Sequence, residues 1–93
     1  MVYTYQRLAA PNDRNGNPRR LWVICAQRSI DLVAVAVLTE GYKGRNVVSK
    51  WFNDHPNAIH ARLTLPDINV TATEYRDWVR LARASDSIEL REE

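Results

Sequence analysis

Ile30-Asp31-Leu32-Val33-Ala34-Val35-Ala36-Val37-Leu38-Thr39 is the stretch that decides how this chain folds. Read as a strand, it places Ile30, Leu32, Ala34, Ala36 and Leu38 on one face and Val33, Val35 and Val37 on the other. Both faces are apolar, so the strand belongs at the centre of a sheet with cover on each side. Its uninterrupted apolar core, Leu32 to Leu38, is seven residues long, against the roughly 18 needed to cross a bilayer.

Outward from this strand, the N-terminal side supplies its partners. Residues 2–9 are rich in β-formers and residues 20–26 are apolar on both faces, so each reads as a strand. Between them, residues 11–18 hold two prolines, Gly16 and three asparagines, a turn in which Asn15-Gly16 suits positive φ. The three strands form an antiparallel meander. On the C-terminal side, Glu40-Gly41-Tyr42-Lys43-Gly44 ends the third strand. Val47, Val48, Trp51 and Phe52 then mark one face of a short helix, stopped by Pro56 and Asn57. Ile59, Ala61, Leu63 and Leu65 alternate with His60, Arg62 and Thr64 as a half-buried fourth strand, and Pro66-Asp67 turns the chain.

A final helix over residues 72–84 is the best-marked element. Thr71 and Glu74 have the spacing of a capping box, with Val70 and Tyr75 placed as its hydrophobic staple. Tyr75, Trp78, Val79 and Ala82 form one apolar stripe. The expected fold is therefore a single α+β domain over residues 1–93, an antiparallel sheet with two helices in the order β-β-β-α-β-α. Two coverings of the central strand stay open. Either one helix lies on each face, or the helices leave apolar sheet that a second chain, identical or foreign, must cover.

The 93 residues allow only a small core; a chain of this size buries about 60–65% of its unfolded surface. Hydrophobic residues at 45% and charged residues at 26% suit an ordered soluble domain. A lone Cys25 cannot make an internal disulfide, and the first residues carry no apolar leader, so a cytoplasmic location is expected. The net charge is +2, but it is polarised: residues 1–50 hold eight Lys/Arg against three acids, residues 51–93 five against eight. Such asymmetry can steer an anionic partner, though a duplex-binding domain is usually more basic overall.

Several basic groups are candidates for contact. Arg14, Arg19 and Arg20 flank the first turn, and Arg76, Arg80 and Arg83 recur on the wet side of the last helix. Together with Val33, Val35 and Val37 they are the expected partner-binding residues. For the helical arginines the competing account is a solvated face, with Asp77 and the acidic tail from Asp86 pairing them locally. Gly41 and Gly44, with Lys43 and Arg45 alongside, make a G-x-x-G ahead of a helix. That motif can hold an anion, but more often it marks a strand exit. Tyr3 and Tyr5 share a face with Arg7 and could stack bases, or could pack beneath a helix. These groups define the alternative function, a nucleic-acid-binding module.

Catalysis finds little footing. His55 and His60 are five apart and Cys25 is distant, which matches no zinc spacing. His55, beside Asp54 and before Pro56, fits a helix end where an imidazole meets terminal carbonyls. No metal, cofactor or enzymatic activity is expected.

The run Asp13-Arg14-Asn15-Gly16-Asn17-Pro18-Arg19-Arg20-Leu21-Trp22, with Glu40-Gly41-Tyr42-Lys43-Gly44 and Thr73-Glu74-Tyr75-Arg76, resembles short uncharacterised proteins carried by phages and plasmids of high-GC bacteria. The resemblance implies a class rather than an activity. Proteins of mobile elements often act by binding, as inhibitors of host defence or CRISPR effectors, or as accessory factors. The expected function is thus a small non-catalytic binding protein whose partner is a protein, a second copy included.

Overall fold

The computed structural model of the chain describes residues 2–41, 44, 46–58 and 62–92. Its elements run β1 (Val2–Ala10), β2 (Arg19–Gln27), β3 (Leu32–Thr39), α1 (Asn46–Asp54), a 3₁₀ turn (Pro56–Ala58), β4 (Arg62–Thr64), β5 (Ile68–Asn69), α2 (Ala72–Ala84) and β6 (Glu89–Arg91). The fold is α+β, a six-stranded sheet in the order β4-β1-β2-β3-β6, with β5 also on β1. The β1-β2-β3 meander is antiparallel as its turns dictate. The three short strands instead run parallel to their neighbours, so the sheet is mixed.

Two strands were not expected, and each has a local cause. The segment after the 3₁₀ turn follows the outer edge of β1, where the Leu65 amide donates to the Tyr5 carbonyl and the Val70 amide to that of Ala9, both at 2.9 Å. Pro66, with no amide hydrogen, interrupts that edge and divides it into β4 and β5. Across the gap Gln6 Nε2 donates to the Pro66 carbonyl at 2.9 Å. The other unexpected strand, β6, lies in what reads as an acidic tail. It pairs with Ala36, Val37 and Leu38 of β3, turning Leu90 to one face and Glu89 and Arg91 to the other. Residues 59–61, the expected start of the fourth strand, lie outside the described residues.

The third strand begins at Leu32 rather than Ile30. Arg28 and Asp31 close the β2–β3 hairpin through two side-chain hydrogen bonds, of 2.7 and 2.5 Å, and an amide-to-carbonyl bond of 2.8 Å. Ser29 and Ile30 are therefore left at the tip of the turn. The assignment of faces also needs correcting. Ile24 pairs with Ala36 but Cys25 pairs with Ala34, so Val35 is an extra residue in a β-bulge. Beyond the bulge the alternation reverses. Leu32, Ala34 and Val37 share one face, whereas Val33, Val35, Ala36 and Leu38 share the other.

Each face carries one helix. On the first, Val47, Val48, Trp51 and Phe52 of α1 pack against Trp22, Ile24, Ala36 and Leu38, with Tyr3, Tyr5 and Val35 at the margin. On the second, Ala82 is buried against Leu8, Leu21, Val23, Val37 and Val70, with Tyr75, Trp78 and Val79 of α2 half-buried beside them. The capping box at the start of α2 is present in both directions, Glu74 N to Thr71 Oγ1 at 3.1 Å and Thr71 N to Glu74 Oε1 at 3.2 Å. Val37 is fully buried, so it offers no surface to a partner, while Val33 and Val35 are half-buried on the α1 face.

One charged group is sealed inside. The Glu40 side chain keeps 3% exposure and stands 3.5 Å from Arg7 Nη1, and its Oε2 has no hydrogen-bond partner among the described residues. Arg7 also binds Asp67 through Nε and Nη2 at 3.0 and 2.6 Å and lies over the Trp22 ring. It therefore joins β1, the end of β3 and the β4–β5 kink at one point. Removing the cation strands a buried carboxylate, so Arg7→Ala should cost about 3 kcal/mol in urea unfolding. The double variant Arg7→Ala/Glu40→Gln should recover part of that loss, because the uncompensated charge is gone.

Candidate functional site

Helix α2 covers its sheet face incompletely, and the uncovered part is a groove. It has a volume of about 190 Å³ and runs between Glu74 and Trp78 of α2 and the end of the sheet that carries Thr4, Cys25 and Leu32. Its floor is Leu8, Val23 and Val70, all part of the α2-side core. Its walls are aliphatic side chains that remain in water: Leu32 is 57% exposed, Ile68 44% and Leu65 37%. Leu63, opposite Thr4 in the neighbouring strand, extends this exposed apolar surface along the edge. Single exposed leucines are ordinary, whereas here three large aliphatic side chains stand together around a concave apolar floor.

The local sequence explains how the groove arises. Pro66 bends the β4–β5 edge, leaving Leu65 and Ile68 on either side of the kink. The β3 bulge turns Leu32 toward the α2 face, which strict alternation from Leu38 would not do. Cys25 lines the groove half-buried, and burial pushes its thiol above the ordinary value in spite of a hydrogen bond with Thr4.

The arginines divide into two groups. Arg19 and Arg20 are adjacent in β2 and so face opposite sides of the sheet, and Arg14 is exposed on the first loop. That loop is closed on Asp13, whose Oδ1 accepts the amides of Asn15 and Asn17 at 2.9 and 2.8 Å, with Gly16 at φ +80°. These bonds, that to Asn17 foremost, hold the Asp13 carboxyl below its usual value. Arg76, Arg80 and Arg83 do come together, lining a shallow depression of about 270 Å³ with Tyr75 and Val79. Arg19 is close enough for its charge to act on the Tyr75 hydroxyl. Two of the helical arginines are paired within the chain, Arg80 to Asp77 at 3.7 Å and Arg83 to Glu92 of the folded-back tail.

Tyr3 packs against Trp51, and Tyr5 against Trp22 and Phe52, at ring-centroid distances of 5.7 to 6.3 Å. Those rings belong to the core beneath α1. Gly41 and Gly44 have φ of +55° and +65°, the conformation expected of a strand exit, while Lys43 and Arg45 lie outside the described residues.

Sequence reasoning missed a polar cluster where β6 meets α1. Glu89 Oε2 accepts the Trp51 indole N–H at 3.1 Å and lies 3.3 Å from His55 Nε2, while Oε1 accepts Arg91 Nε at 2.7 Å. Arg91 reaches on to Asp54 at 2.7 Å. His55 stacks on Trp51 at 4.0 Å, with Nδ1 2.8 Å from the Trp51 carbonyl, the helix-end contact its sequence position implies. The cluster borders an open cleft of about 700 Å³ that also takes in Tyr3, Asp86 and Ser87. The Glu89 carboxylate is thus held by the Trp51 indole and Arg91, and the His55 ring by the Trp51 carbonyl. The arrangement acts as a clamp that fastens β6 to α1. Its sequence signal is slight: Glu89 and Arg91 are two charges in an acidic tail that reads as a partner for the α2 arginines. Among the described residues no group of three or more His, Cys, Asp or Glu could hold a metal ion, and no helix is long and apolar enough to cross a membrane.

No family model, curated protein or solved structure matches the chain.

The clamp carries a pH signature. Burial pushes the Glu89 carboxyl up, but the bonds from Arg91 and Trp51 and the charges of Arg91 and His55 outweigh it, leaving the group below its ordinary 4.5. A carboxyl depressed on folding contributes stability that is complete above its unfolded value and is lost as pH falls through its folded value. The urea midpoint of the wild-type chain should therefore fall as the solution is acidified below the usual carboxylate range. Glu89→Gln should be less stable at neutral pH and lose less on acidification, because the Glu89 contribution is gone, though those of Asp13 and Asp31, also depressed, remain.

Proposed function

We propose that this chain is a non-catalytic binding protein that takes a partner protein into the apolar groove on its α2 face. The observation that carries this reading is the ring of Leu32, Leu65 and Ile68, large aliphatic side chains in water around a floor of core residues. Solvating such a concave surface is unfavourable at roughly 25 cal/mol per Å², and a protein partner removes that cost. Apolar anchors around a central depression, with polar groups outside them, are the usual composition of an interface centre and rim. Glu74 beside the groove, and the Arg28–Asp31 pair near Leu32, supply such a rim.

The absence of catalysis is part of the same proposal. It is supported by the structural bonds that hold Glu89 to Trp51 and Arg91 and by the raised thiol of Cys25. The resemblance to proteins of phages and plasmids fits a binding role, in which the partner is a host effector that the chain inhibits or assists. The protein would then act by occupying a surface of its partner.

The test compares wild-type chain with Leu32→Asp/Ile68→Asp, both positions being exposed enough for the fold to survive. In pull-downs from bacterial lysate the wild type should retain a partner that the variant loses. Against that partner in purified form the affinity should fall at least tenfold, about 1.4 kcal/mol or more. Partner binding should also slow alkylation of Cys25, which lines the groove. Undiminished retention by the double variant, or Cys25 labelling at the same rate in the complex, would overturn the reading.

A further inference from the structure

We propose that a second, separate site on the opposite face of the sheet binds a phosphoryl group. Between α1 and β4 lies a cleft of about 210 Å³ lined by Tyr5, Trp22, Val48, Ser49, Arg62 and Thr64. The pairing of β4 with β1 sets Tyr3 beside Arg62 and Tyr5 beside Thr64, which turns Arg62 and Thr64 to the α1 side. Among the described residues no carboxylate lines the cleft. Arg62 lies over the Phe52 ring with its Cζ 5.0 Å from the centroid and has no carboxylate partner among the described residues. Its charge is therefore available, and its planar fork suits two oxygens of one anion.

The other groups around it are donors. Ser49 and Thr64 bring hydroxyls that no other described residue engages. The first turn of α1 contains no acidic residue, so no side chain in that turn offsets the positive end of the helix. Trp22 lines the cleft and has an indole N–H that is buried without an acceptor among the described residues. A buried polar group left unpaired in a folded protein calls for a partner, commonly a water or ion. A guanidinium on the strand and hydroxyls on both walls give the cleft a lining rich in hydrogen-bond donors, which suits an oxyanion with several oxygens to satisfy. The volume admits a phosphate with a small substituent and excludes a helix or strand. The ligand class is inorganic phosphate or a phosphate monoester.

This proposal is independent of the groove, which lies across the sheet on the α2 side. It is tested by titrating the full chain with inorganic phosphate, and separately with phenyl phosphate, while recording amide and indole N–H spectra at constant ionic strength. Saturable shifts at the Ser49 and Thr64 amides, at Arg62 Nε and at the Trp22 indole are expected. Arg62→Ala should weaken binding at least tenfold and Arg62→Lys less, with Ser49→Ala as a second variant that also weakens it. Tighter binding of phenyl phosphate would identify an ester as the ligand, and equal binding the free anion; either supports the site. Non-saturable shifts, the same shifts with chloride, or undiminished binding by folded Arg62→Ala would overturn it.

Discussion

A sheet that is apolar on both sides must be covered on both sides, and this chain has only two helices with which to do so. That constraint governs the rest of the molecule. Each helix takes a face, α1 with its Val47, Val48, Trp51 and Phe52 set and α2 with its Tyr75, Trp78, Val79 and Ala82 stripe. Neither helix is long. α2 runs for 13 residues, about 20 Å at the usual rise per residue, and leaves the Leu32 end of its face uncovered. The groove is what remains when one short helix covers a sheet wider than itself.

The elements that complete the sheet are fastened by polar contacts more than by greasy ones. β6 has only Leu90 facing the α2 core, while Glu89 and Arg91 are engaged with Trp51, His55 and Asp54 on the α1 side. On the opposite edge, the β4–β5 segment is tied down by Gln6 on Pro66 and by Arg7 on Asp67. The short strands at both edges thus depend on a few specific side chains, whereas the meander and helices depend on apolar area.

This division also explains what could be read in the sequence. The final helix was legible at both ends because its cap and stripe are local patterns within one short stretch. The meander was legible from its turns and from the apolar runs between them. β6 was not, because three residues with two charges have no periodicity apart from the α1 side chains that meet them. The bulge at Val35 was equally hidden, since Ala34 and Val35 fit a strand in either register. Of the site, Leu65 reads in the sequence as part of the buried face of the fourth strand, and Ile68 carries no signal. Their exposure follows from Pro66 and from the line that α2 takes at Glu74 and Trp78, both matters of tertiary arrangement. Arg62, Ser49 and Thr64 are distant in the chain and share no motif.

The bulge has a further consequence. Val35 is the one residue by which β3 exceeds its partner, and it decides which side Leu32 and Ala34 occupy. Deleting that single codon would restore an unbroken zigzag and rotate the leading half of the strand, carrying Leu32 out of the recess and under the opposite layer. One in-frame deletion would therefore remove a wall of this molecule's recess, even though Leu32 itself had not been altered.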